Sequence, residues 1–167
     1  GACAGEAVLD LCAAPGGKTA VLAEAGAKVT ACDISEFRLT LLKEGVERLG
    51  HAESVEVLLR GPEDPAPEGP FDAALIDAPC SNTGVLGARP GARWRWGPAS
   101  RRSLEEVQSS LLERAAPVVR PGGRLIWSTC SLEPGENERR IALFLASHEA
   151  NFITGQTVVV DGGSVTH

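Results

Sequence analysis

The chain has 167 residues, 43% hydrophobic and 23% charged, which fits a single globular domain with enough apolar material for a core. The regular apolar runs exclude wholesale disorder, and no stretch approaches the roughly 20 apolar residues of a membrane span. A net charge of −6 would argue against a nucleic-acid partner if it were spread evenly, but Arg89, Arg93, Arg95, Arg101 and Arg102 share a segment with no acidic residue between Asp77 and Glu105.

The predicted elements alternate between strand and helix. Ala7–Cys12 (AVLDLC) is a short apolar run that stops at a Pro-Gly-Gly turn, as a buried parallel strand does. Gly17–Glu24 reads as a helix. The joint between them, DLCAAPGGKT over Asp10–Thr19, lets backbone approach a ligand, with helix N–H groups facing it. It has neither the G-x-G-x-x-G nor the P-loop spacing. A tight turn with no ligand is the competing reading. Lys28–Asp33 is the second strand, and Asp33 at its end could accept from both ribose hydroxyls of an adenosine-type cofactor. Alternatively, Asp33 is only an acid near a helix N-terminus. The next helix, Ser35–Leu49, has Ser35 as N-cap, an apolar stripe of Phe37, Leu41, Leu42, Val46 and Leu49, and Gly50 as its stop.

Ser54–Arg60 is the third predicted strand, followed by a Pro-rich loop to Pro70 and a fourth strand, Phe71–Ala78. Pro79–Ala99 is a long loop, and such loops in small domains are usually functional or disordered. Its Arg89, Arg93, Trp94, Arg95 and Trp96 offer guanidinium groups for phosphates and indole faces for unstacked bases; a solvated loop with its Trp rings packed on the domain is the alternative. Ser100–Ala116 reads as a helix burying Leu104, Val107, Leu111 and Leu112. A Pro-Gly-Gly turn at 121–123 precedes a fifth strand, Arg124–Cys130. A helix over Glu136–Ser147, with Ile141, Phe144 and Leu145 inward, precedes a last strand, Thr157–Asp161.

Strands joined through helices imply an α/β fold: a Rossmann-like, doubly wound, three-layer sandwich. Its mostly or wholly parallel sheet has about six strands in order 3-2-1-4-5-6. Ligands in such sheets sit beyond the carboxyl ends of the strands, where Cys12–Gly17, Asp33, Asp77–Cys80 and Cys130 all fall. Strands four and five are then neighbours, about 4.8 Å apart, so Cys80 (in IDAPCS) and Cys130 (in STCS) could share a cleft with Asp77. A lone free Cys is more often a small buried hydrophobe; two converging with an acid favour thiolate chemistry. The five cysteines contain no C-x-x-C pair, which leaves no zinc signature and suggests a reducing, cytoplasmic setting. Tyrosine is absent, excluding phenol-dependent mechanisms. Methionine is absent too, so Gly1 is expected to start a fragment or processed chain. His51, His148 and His167 read as surface or helix-end residues.

DLCAAPGGKT, ACDIS, IDAPCSNTGV, the RPGARWRW loop and PGGRLIWSTCSLEPGENE together resemble the Sun/Nop family of RNA cytosine-5 methyltransferases, from about Ala7 to Ala146. The resemblance implies S-adenosylmethionine as cofactor, held by Cys12, Ala13, Ala14, Pro15, Gly16, Gly17, Lys18, Asp33, Arg38 and Asp77. Asp64 is the expected adenosine-contacting acid after the third strand. The resemblance further implies Cys130 as nucleophile, Cys80 as the thiol assisting product release, Asp77 on the cytosine edge, and Arg89, Arg93, Trp94 and Arg95 on RNA (rRNA or tRNA). No metal, no membrane and a monomer are expected. The segment NFITGQTVVVDGG instead resembles the end of short-chain dehydrogenases/reductases. This suggests one domain assembled as an engineered chimera, 1–146 methyltransferase-like and 147–167 dehydrogenase-like. A scaffold without activity and a nicotinamide-binding protein are the alternatives that follow from this tail.

Overall fold

A computed structural model describes residues 2–95, 97–148, 150 and 157–161, the last five by backbone alone. Its six strands are β1 Ala7–Asp10, β2 Lys28–Asp33, β3 Val55–Leu59, β4 Phe71–Asp77, β5 Val119–Ser128 and β6 Thr157–Asp161. They form one sheet in the predicted order β3-β2-β1-β4-β5-β6. Every pairing is parallel, from Ala7 opposite Lys28 to Ser128 opposite Asp161. The helices are α1 Gly17–Glu24, α2 Glu36–Arg48, α3 Pro98–Ala115 and α4 Glu138–Leu145.

The pleat sends alternate residues to opposite faces. Val8 and Ala73 join a core with Leu39, Leu42 and Val46 of α2. Their neighbours Leu9 and Ala74 join the other core, with Leu111 and Leu112 of α3 and Ile141 and Phe144 of α4. A strand buried on both sides must be apolar throughout, which is why these runs show no alternation. Because all strands run the same way, their carboxyl ends share one rim. The chain leaves β1 toward β2 and returns to β4 on its other side, opening a crevice between β1 and β4.

Four expectations need correction. The buried side of α2 is Leu39, Leu42 and Val46, whereas Phe37 is 74% exposed, and Leu41 and Leu49 also face outward. The predicted stripe was drawn on residue type, and the helix is rotated so that only three positions meet the sheet. In α3, Val107 is exposed and the polar Gln108 is buried, because Gln108 has hydrogen-bond partners there. β5 starts at Val119, before the Pro-Gly-Gly segment. Val119 pairs with Phe71, and the register then shifts, so that Arg124 meets Ala73. The segment is a bulge within the strand, made possible by Gly122 at φ +75°. The predicted last helix is a short 3-10 turn, Pro134–Glu136, followed by α4, and Leu145 is exposed.

Candidate active site

The joint after β1 is built mostly from backbone. Gly16 has φ +104°, and a Cβ there would lie 2.8 Å from Leu42 Cγ. Only glycine both adopts this conformation and lets the turn pack on α2. At Gly17 a Cβ would meet nothing within 4 Å, so the start of α1 borders open space. Asp33, 4% exposed, secures the turn. Its Oδ2 accepts from the Ala14 N–H at 3.2 Å, and its Oδ1 accepts from the Ser35 N–H at 3.0 Å and Arg38 Nη2 at 2.7 Å. A carboxylate has about four acceptor positions, so Asp33 retains one for a ligand.

Beneath the turn, buried Asp10 accepts from the Thr19 hydroxyl at 2.8 Å through Oδ2, and its Oδ1 has no partner. Burial raises its pKa to about 7. Burial likewise pushes the Cys12 thiol up to about 12, leaving Cys12 an inert wall of the hollow. Asp64 does not line the hollow. Its Oδ2 accepts from the Gly61 N–H at 2.6 Å, closing its own turn. The acid after β3 that does line the hollow is Glu63, with Arg60 and Pro62.

The rim after β4 and β5 carries the thiols. Cys80 Sγ and Cys130 Sγ are 3.0 Å apart, and Cys130 Sγ is 3.1 Å from Asn82 Oδ1. Asn82, in the left-handed region at φ +61°, donates through Nδ2 to the Cys80 carbonyl at 2.8 Å. The Gly84 N–H donates to the Cys130 carbonyl at 3.0 Å. A Cβ on Gly84 would approach that oxygen to 2.9 Å. A hydrogen bond from Cys80 is the main cause lowering the Cys130 thiol to about 7; Arg89 acts in the same direction, opposed by burial and Asp77. The hydrogen bond to Cys130 and burial push Cys80 the opposite way, so it stays protonated. Asp77 lies between the two ends, its Oδ2 paired with Lys18 Nζ at 2.7 Å.

One hollow of about 960 Å³ joins these groups. Its lining includes Cys12, Ala14, Pro15, Lys18, Asp33, Arg38, Asp77, Cys80, Arg89 and Cys130. Of the predicted set, Ala13, Gly16 and Gly17 shape the turn without lining it. Asn82, Glu63 and Glu136 were not predicted; for Asn82 the signal available was its place two residues after Cys80. Arg93 and Arg95 stand on a 3-10 turn, Pro90–Arg95, and do not line this hollow, but Arg95 lines a smaller one that shares Cys80 and Asn82 with it. Trp94 is 85% exposed, so it is not packed on the domain. Trp96, the 151–156 segment and His167 lie outside the described residues. Among the described residues no group of three His, Cys, Asp or Glu could hold a metal, and no helix is long and apolar enough to cross a membrane.

A wholly parallel sheet with this glycine turn and crevice is a Rossmann-like methyltransferase fold. It matches the crystal structure of PH0851 with a TM-score of 0.82 at 41% identity, covering 88% of this chain and 34% of that one. NSun6 from Pyrococcus horikoshii, solved with SFG, matches with a TM-score of 0.72 at 28% identity, over 84% of this chain and 37% of that one. In sequence, the Ribosomal RNA small subunit methyltransferase B of Yersinia enterocolitica is 42% identical over 158 residues, 92% of this chain and 37% of its own length. Residues 3–162 match the family described as 16S rRNA methyltransferase RsmB/F, and the chain belongs to that family.

The chain thus spans under two-fifths of the length of this curated relative. The family match runs through the supposed junction near residues 145–149 to residue 162. This leaves the chimera, the inactive scaffold and the nicotinamide reading without support. RsmB/F methyltransferases use S-adenosylmethionine. The residues present fit it: Asp33, with an acceptor position remaining, and the Lys18–Asp77 pair line one continuous hollow with Cys12, Ala14 and Pro15 of the glycine turn.

Proposed function

We propose that the chain is the catalytic core of an RNA cytosine-C5 methyltransferase. The observation that carries this reading is the pair of sulfur atoms 3.0 Å apart at the ends of adjacent strands, in the same hollow as the glycine turn. When bound, S-adenosylmethionine supplies an electrophilic methyl group. The turn from Cys12 to Lys18, together with Asp33 and Arg38, holds it, and Glu63 takes the adenosine-side position first expected for Asp64.

Cytosine C5 is a poor nucleophile until a group adds to C6. A thiol lowered to about 7 is substantially ionised at neutral pH, so Cys130 forms the bond to C6 and gives C5 enamine character. C5 would then take the methyl group that the cofactor supplies. Loss of the C5 proton to solvent water leaves the C–H electron pair to re-form the C5–C6 double bond, and Cys130 departs from C6 as the thiolate. Cys80, protonated and adjacent, assists that release. Asp77 accepts from the amino edge of the base and stabilises the adduct electrostatically. The base must leave any stack to reach this depth.

Arg89, at the mouth of the hollow, and Arg93, Trp94 and Arg95 hold the flanking RNA, with Trp94 as a stacking face. The relatives' names favour small-subunit ribosomal RNA. Transfer of a tritiated methyl group to C5 of cytosine in RNA tests the reading. We expect Cys130→Ala to remove transfer while S-adenosylhomocysteine binding, measured by calorimetry, persists. Transfer unaffected by that substitution contradicts it.

A further inference from the structure

Glu136 is fully buried, lies outside the hollow and has no part in the chemistry above. Its side chain nevertheless joins both thiol loops. Ser81, one residue after Cys80, donates its backbone N–H to Oε1 at 3.0 Å and its hydroxyl to Oε2 at 2.5 Å. Ser131, one residue after Cys130, donates its hydroxyl to the same Oε2. Gln108 Nε2, from α3, donates to Oε1 at 3.1 Å and to the carbonyl of Pro79, the residue before Cys80, at 2.9 Å. The Glu136 backbone is fixed in turn, because its carbonyl accepts from Trp127 Nε1 of β5 at 3.0 Å.

The two serine hydroxyls also meet each other, Oγ to Oγ at 3.0 Å, so Glu136 Oε2 holds a pair of residues that are themselves in contact. Thr83 bridges more loosely, at 3.4 Å to Ser81 and 3.2 Å to Ser131. Neighbouring Asn137 serves the β5 side alone, accepting from Thr129 Oγ1 at 2.6 Å and donating to the Ser131 carbonyl at 2.8 Å. β4 and β5 fix the loops only as far as Asp77 and Ser128. Beyond the ladder one backbone bond, from the Gly84 N–H to the Cys130 carbonyl, crosses between the loops, and the other links between them are made by side chains. A buried acceptor with several donors has little freedom to move, since any displacement leaves one of them unsatisfied.

We infer that Glu136 is a positioning residue: it clamps Ser81 and Ser131 to one carboxylate and thereby sets the distance between Cys80 and Cys130. Its bearing on catalysis rests on the cytosine reading above, but the distance can be read without RNA or cofactor. Diamide oxidises two adjacent thiols to a disulfide, taking their two electrons and two protons and becoming the hydrazine. The rate of Cys80–Cys130 pairing in the whole chain, followed by mass spectrometry, reports how often the sulfurs meet. Alkylation of exposed Cys3 serves as the internal control.

We expect Glu136→Ala to slow pairing by about tenfold or more, through lost effective concentration, with S-adenosylhomocysteine affinity and Cys3 alkylation unchanged. Glu136→Gln, which keeps the length and one acceptor, should restore most of the rate. If Glu136→Ala gives no cooperative thermal transition, the double variant Ser81→Ala, Ser131→Ala removes both hydroxyl links to Glu136, together with the bond between the two hydroxyls, without opening a large cavity, and should slow pairing in the same way. A folded variant that pairs its thiols at the wild-type rate overturns the inference. The cytosine reading would survive that result, since it is judged separately by methyl transfer in Cys130→Ala.

Discussion

The two ends of the hollow are held by different means. At the cofactor end the turn closes on itself through backbone: Gly16 lies against Leu42, and the single side chain Asp33 takes two main-chain N–H groups and one guanidinium. Its parts are close in the chain, within residues 10–42. At the thiol end, two loops some fifty residues apart in sequence are joined through a buried side-chain network centred on Glu136. A backbone-built site holds its shape largely through its own conformation, whereas a network of side chains depends on every partner being present. The first kind suits a ligand shared across many chemistries, and the second suits a pair of reactive atoms whose separation matters.

Substitutions should therefore act on one end and spare the other. Gly16→Ala forces a side chain into a left-handed position and into Leu42. It should weaken S-adenosylhomocysteine binding by about tenfold or more and lower stability by about 1–3 kcal/mol in urea unfolding. Cys80–Cys130 pairing should stay at the wild-type rate. Trp94→Ala should reduce RNA affinity by about 1 kcal/mol, the lower range for one stacked base. Fluorescence anisotropy would read that loss, with cofactor binding unaffected. Loss of cofactor binding in Trp94→Ala would break the division between the ends.

The pH responses sharpen it. Cys130 alkylation by iodoacetamide should rise with pH through a midpoint near 7, because the thiolate is the reactive form. In Cys80→Ala the midpoint should move up toward 9.0, the unperturbed value, as the donating thiol is lost. At the other end, Asp10 has a folded pKa of about 7 against 3.8 for the free group. The folded state therefore binds the extra proton between these values, and this residue's contribution to stability falls as pH rises through that window. Urea unfolding should show a flatter pH dependence there in Asp10→Asn.

How much of this was readable from sequence follows the same division. The sheet order came from strand–helix alternation and crossover handedness, which are local rules applied in series. The glycine turn, Asp33 and both cysteines stood at strand ends and were legible for that reason. Glu63 lines the hollow and Asp64 does not, a difference hidden from sequence, which shows two acids after β3 without showing which of them turns inward. The helix stripe on α2 failed at Phe37, because residue type does not set the rotation of a helix against its sheet. Gln108 and Glu136 were invisible. A polar residue in a helix or turn reads as solvated until tertiary structure supplies buried partners.

The most direct test of two thiols with separate roles is a covalent complex. Cys80→Ala, incubated with substrate RNA and S-adenosylmethionine, should accumulate a protein–RNA adduct stable on a denaturing gel, because the adduct forms at Cys130 but its release is slowed. The double variant Cys80→Ala, Cys130→Ala should form none. An adduct that persists without Cys130 would contradict the account.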